Sequence, residues 1–334
     1  MLPNALEKAV YGVYATTAVH LAAKHGVFGF LLDQGAPVPT GKIAVALELD
    51  EETLDRLLLV LASFGVIERN EHGAYQVPVE LAPFLDPRSP RSVGGFLSHV
   101  MNSTLGRLPQ LDGYLTAGKP SVDASLPAPF DVMYKTPKLT EEFVAAMWQL
   151  TYDVSRELVP MAGLAGVRHV LDVGGASGPF CVAALEATPG LSATVFELPE
   201  VGPYVADTVE RYDLRGRLDF AAGDFHRDEF PPTECVAFGY ILSGWTDEIG
   251  LELLRKAYRA CADGGRVLVM DRLFDDDRGG PLPTAVMNLS MHVEAEGRHR
   301  TAAEFIGLLE SAGFADCEVR RSTQDKHLVI GFKR

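Results

Sequence analysis

Residues Val170 to Gly178, reading Val-Leu-Asp-Val-Gly-Gly-Ala-Ser-Gly, constrain the fold more than any other part of the chain. An apolar run carrying one acid, Asp172, breaks into a glycine-rich turn, and small residues from Phe180 to Ala187 follow it. The pattern predicts the first strand, turn and helix of a nucleotide-binding α/β sheet. Glycines let backbone approach a ligand closely, and a helix N-terminus presents free N–H groups to it. Gly174, Gly175 and Gly178 are the candidate ligand-contacting glycines.

The acids nearby steer the reading away from a dinucleotide. A pyrophosphate beside Asp172 would be repelled, whereas a cationic ligand would be attracted. A second apolar run, Ala193 to Phe196, ends in Glu197, placed where a carboxylate grips both hydroxyls of a ribose. A third acid, Asp224, follows another strand in Ala222-Gly223-Asp224-Phe225. Three acids at successive strand ends suit a sulfonium-bearing nucleoside, S-adenosylmethionine. The plainer alternative is three ordinary loop carboxylates around a dinucleotide or a structural turn.

Composition narrows the partners. With 334 residues, 47% of them hydrophobic, the chain can bury two cores. A net charge of −15 argues against wrapping nucleic acid or an anionic membrane. Cys181, Cys235, Cys261 and Cys317 lack paired spacing, which fits a reducing, cytoplasmic setting rather than a zinc cluster or disulfide frame. The first thirty residues carry Glu7, Lys8, His20 and Lys24 through a helical pattern, so neither signal peptide nor membrane span is expected.

Residues Asn4 to Leu32 read as one or two amphipathic helices, broken near Gly26. Thr40 to Leu47 and Asp50 to Leu57 read as a helix, a turn and a second helix, followed by a hairpin over Gly65 to Val77. That is the pattern of a winged helix-turn-helix. Glu51, Glu52, Asp55 and Glu68, opposed only by Arg56 and Arg69, would repel a phosphate backbone, so the module reads as scaffold rather than DNA reader. Pro120 to Pro129 reads as a loop, and Leu139 to Leu158 as a helix. Strands are expected at Glu234 to Leu242 and Arg266 to Asp271, with a helix from Leu251 to Cys261 between them. A helix from Thr301 to Ala312 and a closing hairpin follow. His20, His25 and His72 are expected on surfaces, and His169 just ahead of the first strand.

Taken in order, LDVGGASG, VFELPEV, GDF, ILSGWTDE and GRHRTAAEF resemble the small-molecule O-methyltransferases of the caffeic-acid and bacterial polyketide type. The resemblance covers nearly the whole chain. It implies an α/β, Rossmann-like methyltransferase sheet at the C-terminus, preceded by a mainly helical winged-helix dimerisation domain. The implied boundaries are 1–105 for a homodimerising domain, 106–160 for a helical connector lining an acceptor pocket, and 161–334 for the S-adenosylmethionine domain. Cofactor contacts fall on Asp172, the three glycines, Glu197 with Leu198, and Asp224 with Phe225. The acceptor would be a small molecule of secondary metabolism such as an antibiotic, lined by His99, Asn102, Met147, Trp245, Asn288 and Met291. Core packing is the plainer reading for Met147 and Trp148.

One departure matters. A phenol must lose its proton, and the family uses the histidine of a His-Asp-Trp motif for this. Here the matching residues are Ser243-Gly244-Trp245. Serine at its ordinary pKa cannot act as a base unaided. The acids that flank that histidine in plant members correspond to Asp271 and to His299. Two readings follow, with His292 and His299 as candidate catalytic groups beside Ser243 and Asp271. In one, either histidine is a relocated base. In the other, His99, His292 and His299 hold a divalent metal, zinc or iron, that chelates a 2-oxo acid and eases carbon methylation. The spacing of His292 and His299 is a poor metal signature on its own. Metal and base stay open as alternatives. The favoured reaction is C-methylation of a 2-oxo acid or a comparably acidic carbon through a metal- or histidine-assisted enolate, with O-methylation of a readily ionised phenol or acid as its alternative. A non-methylating member and a ligand-sensing regulator are further rivals.

Overall fold

A computed structural model describes residues 2–119 and 134–334. The loop expected over Pro120 to Pro129 lies outside the described residues. The chain divides into two compact units, 1–106 and 107–334.

The first unit is mainly helical. Helices Asn4–Lys24 and Val27–Gln34 are separated by Gly26 at φ 74°, a backbone conformation that favours glycine. Strand β1 (Val38–Pro39) leads into helices Thr40–Leu47 and Glu51–Ser63. The second of these starts where the Asp50 side chain accepts from the Thr53 N–H at 2.8 Å, an N-cap that the sequence advertises. Strands β2 (Glu68–Arg69) and β3 (Ala74–Gln76) complete a three-stranded antiparallel sheet in the order β1-β3-β2. Phe28, Ile43, Leu58, Leu61, Ile67 and Tyr75 form its core. His20 departs from expectation: it faces inward and is only 8% exposed.

The second unit is built on a seven-stranded sheet. Its strands are β4 (His169–Val173), β5 (Ser192–Glu197), β6 (Leu218–Ala222), β7 (Thr233–Gly239) and β8 (Cys261–Asp271), followed by β11 (Ala315–Arg320) and β12 (His327–Phe332). A separate parallel pair, β9 (Leu273–Phe274) and β10 (Arg300–Thr301), stands beside it. The order is β11-β12-β8-β7-β4-β5-β6; β12 runs antiparallel to both neighbours and the other pairings are parallel. This is a Rossmann-like α/β fold. The order reverses at β4, so β4 and β7 open the crevice where such sheets take their ligands.

Alternation along the strands builds two cores. On one face, Val170, Ala237, Met270 and Leu328 pack with helices Pro137–Met161 and Pro179–Ala187. On the other, Leu171, Val236, Val269 and Val329 pack with helices Asp247–Ala260 and Ala302–Ala312. Trp148 stacks on Tyr152 and Tyr212 at 5.1 and 5.4 Å, a packing role, while Met147 is half-buried on the same helix.

Several boundaries differ from the sequence reading. The expected strand through Leu242 stops at Gly239, because Tyr240 takes φ 58° and cannot continue an extended ladder. The chain then coils through a tight turn, Leu242–Gly244. The next helix begins at Asp247 rather than Leu251, because the Thr246 side chain caps the Ile249 N–H. His169 lies inside β4 rather than ahead of it, hydrogen-bonded to Thr233 and Thr194.

Candidate active site

The glycine turn follows β4. Gly174 and Gly178 have φ of 67° and 86°, and the Gly174 N–H reaches across to the Phe196 carbonyl at 2.9 Å. A Cβ on Gly175 would lie 2.5 Å from the Asp172 carboxylate, and one on Gly174 would collide with the Ile241 side chain. Glycine is therefore required here by close approach as well as by backbone angle.

Asp172 is 2% exposed, beneath this turn. Burial pushes its carboxyl up to about 7, against the lowering pull of Lys326 and the Cys181 thiol, which donates to it at 3.5 Å. Glu197, at the tip of β5, is 7% exposed and is likewise pushed up to about 7, chiefly by burial. Its carboxylate accepts from the Leu198 N–H at 2.7 Å and from the Tyr134 hydroxyl at 3.3 Å. Tyr134 is a site residue that the sequence reading missed, since a lone tyrosine ahead of a helix carries no motif. Asp224 stands half-exposed after β6 and folds its own turn, accepting from the His226 N–H at 2.9 Å and facing Arg227 at 3.5 Å. Phe225, His226 and Trp245 form an aromatic cluster beside it, with the His226 ring 4.4 Å from Trp245.

On the opposite sheet face lies a second group. Asp271 ends β8 and His299 precedes β10; they are 1% and 2% exposed. His299 Nδ1 stands 3.3 Å from Asp271 Oδ1, which also accepts from the Arg272 N–H at 2.9 Å. Burial alone would raise the Asp271 carboxyl, but His299, with help from Ser243 and Arg272, outweighs it and holds the group below its usual range. Ser243, His299 and Asp271 are thus brought together. Both ring nitrogens of His299 are buried without a hydrogen bond, so Nδ1 faces Asp271 as a charge contact only.

Arg300, fully buried, ties this group to the β7 loop. It donates to the Leu242 and Trp245 carbonyls at 2.8 and 3.0 Å and to Asp247 at 2.8 Å. Gly297 lies so close to Ser243 and Trp245 that any side chain there would strike their backbone. Asn288, expected to line the acceptor site, accepts the His299 N–H at 2.8 Å and so fixes that backbone. Met291 is half-buried.

His292 does not join His299. It is exposed, with its ring edge-on to Tyr114 at 5.7 Å. His99 is half-buried and Asn102 exposed, both in the first unit. Among the described residues no group of three or more His, Cys, Asp or Glu is placed to hold a metal, so the expected His99, His292 and His299 set finds no support.

The profile of the O-methyltransferase domain family matches residues 118–315. The chain belongs to the S-adenosylmethionine-dependent O-methyltransferase family. This O-methyltransferase chain is 29% identical over 324 residues to the 3-hydroxy-5-methyl-1-naphthoate 3-O-methyltransferase of Streptomyces sahachiroi, covering 96% of the one and 91% of the other. It is 27% identical to the acetylserotonin O-methyltransferase of Gallus gallus, over 96% and 95% of the two chains. The human N-acetylserotonin methyltransferase in complex with S-adenosylmethionine superposes with a TM-score of 0.90 at 25% identity, covering 99% and 98%.

Proposed function

We propose that this O-methyltransferase methylates an ionisable hydroxyl of a small acceptor from secondary metabolism, with the imidazole at 299 as its base. The observation that carries the reading is the buried His299–Asp271 pair, with Ser243 at the position of the family's histidine. A carboxylate on Nδ1 orients the ring and leaves Nε2 to take a proton. Asp271 and Ser243 then act by positioning. The metal-assisted route to carbon methylation has no donor cluster among the described residues to support it.

The cofactor fits the first group. S-adenosylmethionine, when bound, supplies the methyl group on a sulfonium. The glycine turn allows backbone approach, Glu197 is placed for the ribose, and Asp172 contributes negative charge beneath the turn. Leu198, Asp224 and Phe225 border the nucleoside. Trp245 and Met291 are assigned to the acceptor, as is Met147 from the family resemblance.

The first unit serves, in this reading, as a winged-helix scaffold that pairs two chains. Leu6, Val10, Tyr11, Val13 and Tyr14 are exposed on its first helix, an apolar surface suited to a second copy. No described helix is long and apolar enough to cross a membrane. Four free thiols suit a reducing cytoplasm.

Exchanging His299 for asparagine tests the base. The expected result is a loss in kcat of about 10²- to 10⁴-fold, with S-adenosylhomocysteine binding retained. Unchanged kcat would overturn the assignment.

A further inference from the structure

The β12 strand brings a cation to the cofactor end of the sheet that neither the fold nor the proposed base requires. Lys326 is 0% exposed, and its Nζ has no hydrogen-bond partner. A buried ammonium without an acceptor is costly, and the Tyr240 ring, 4.2 Å away, compensates only in part.

Alternation shows where this ammonium points. Val170, Ala237 and Leu328 belong to one core on one face of the sheet. Asp172, Gly239 and Lys326 lie two residues further toward the same rim, β12 being antiparallel to its neighbour, so all three share that face. A Cβ on Gly239 would sit 3.2 Å from Nζ, so the missing side chain leaves space beside the ammonium. Burial lowers the Lys326 ammonium to about 8, and Asp172 and Asp271 act against that lowering, so it remains cationic at neutral pH. A carboxylate and an ammonium thus stand at one rim, and Nζ donates no hydrogen bond to Asp172.

We propose that Lys326 binds the α-carboxylate of the cofactor's amino-acid tail, opposite Asp172, which faces the α-ammonium. The pair is complementary to a zwitterion, because each charge of the tail meets its opposite in a buried setting. The proposal rests on the cofactor reading given above. Tyr240 and Ile241 border this space, Ile241 leaning over Gly174, and the entering tail displaces them.

Calorimetry with two nucleosides separates the possibilities. S-adenosylhomocysteine carries the amino-acid tail, whereas 5′-methylthioadenosine keeps the thioether nucleoside without it. Lys326→Met should weaken S-adenosylhomocysteine about 10- to 100-fold and leave 5′-methylthioadenosine unchanged, with Lys326→Arg recovering part of the loss. Equal weakening of both nucleosides would show a merely structural lysine and overturn the proposal, as would unchanged binding of S-adenosylhomocysteine. If Lys326→Met does not fold, the wild-type protein still decides. It should prefer S-adenosylhomocysteine over its decarboxylated analogue by a similar factor, and equal affinities would overturn the proposal. Wild-type protein that binds the nucleosides but not through the tail counts against Lys326 alone. Wild-type protein that binds neither nucleoside refutes the cofactor reading itself.

Discussion

At the scale of residues, the proposed base is an imidazole at a position other than the family's. Position 243 holds serine, and the ring appears at 299 against Asp271. Changing Asp271 to asparagine removes the negative charge beside Nδ1, so kcat should fall while S-adenosylhomocysteine affinity holds. Steady-state kinetics beside calorimetry checks this, and a variant with wild-type kcat would separate Asp271 from the reaction. The pair across the sheet behaves differently with pH. Asp172 and Glu197 are raised from 3.8 and 4.5 to about 7 in the folded protein. Their contribution to stability is therefore full below those ordinary values and is lost as pH rises through 7. The proposed cofactor site takes them ionised, so S-adenosylmethionine affinity should rise between pH 6 and pH 7.5 with release of protons on binding. Flat affinity over that interval contradicts the assignment. Strand-tip placement was legible where an acid ended an apolar run, as at Glu197. Contacts between distant segments were not legible, as with Tyr134 and Glu197, because no local spacing encodes a contact 63 residues away.

Among the elements, the β7 loop shows how a local turn is held by distant packing. Tyr240 at φ 58° ends the strand early, and Arg300 then binds the loop carbonyls from 55 to 58 residues away. The sequence pattern alone ran the strand on to Leu242, since Tyr-Ile-Leu favours extension and the backbone reversal has no composition signal. By contrast, the glycine turn, the hairpin at the end of the sheet and the helix from Ala302 were readable from glycines, alternation and the Thr301–Glu304 capping box. Gly297 tests the packing of the loop. Gly297→Ala forces a methyl group into the Ser243 backbone, an overpacking cost of about 1–3 kcal/mol, and should depress kcat more than cofactor binding. Thermal unfolding and kinetics together check this; an unperturbed variant would mean the loop has slack.

For the whole molecule, two units with separate cores match the composition that the chain started with. The acidic surface of the Glu51–Ser63 helix, where Glu52 pairs with Arg56 and Asp50 is spent on the cap, suits a scaffold better than a DNA reader. If the exposed apolar side chains of the first helix pair two chains, Val10→Glu with Tyr14→Glu should convert a dimer to a monomer in light scattering. A dimer that survives both charges would place the interface elsewhere. Everything proposed about catalysis depends on the strand-tip carboxylates receiving S-adenosylmethionine, and calorimetric titration of wild-type and Glu197→Ala protein measures that directly. The account predicts one site per chain for wild type and a loss of about tenfold or more in the variant, from removal of a charged hydrogen-bond acceptor. Binding that is absent in the wild type, or equal in the two proteins, would contradict it.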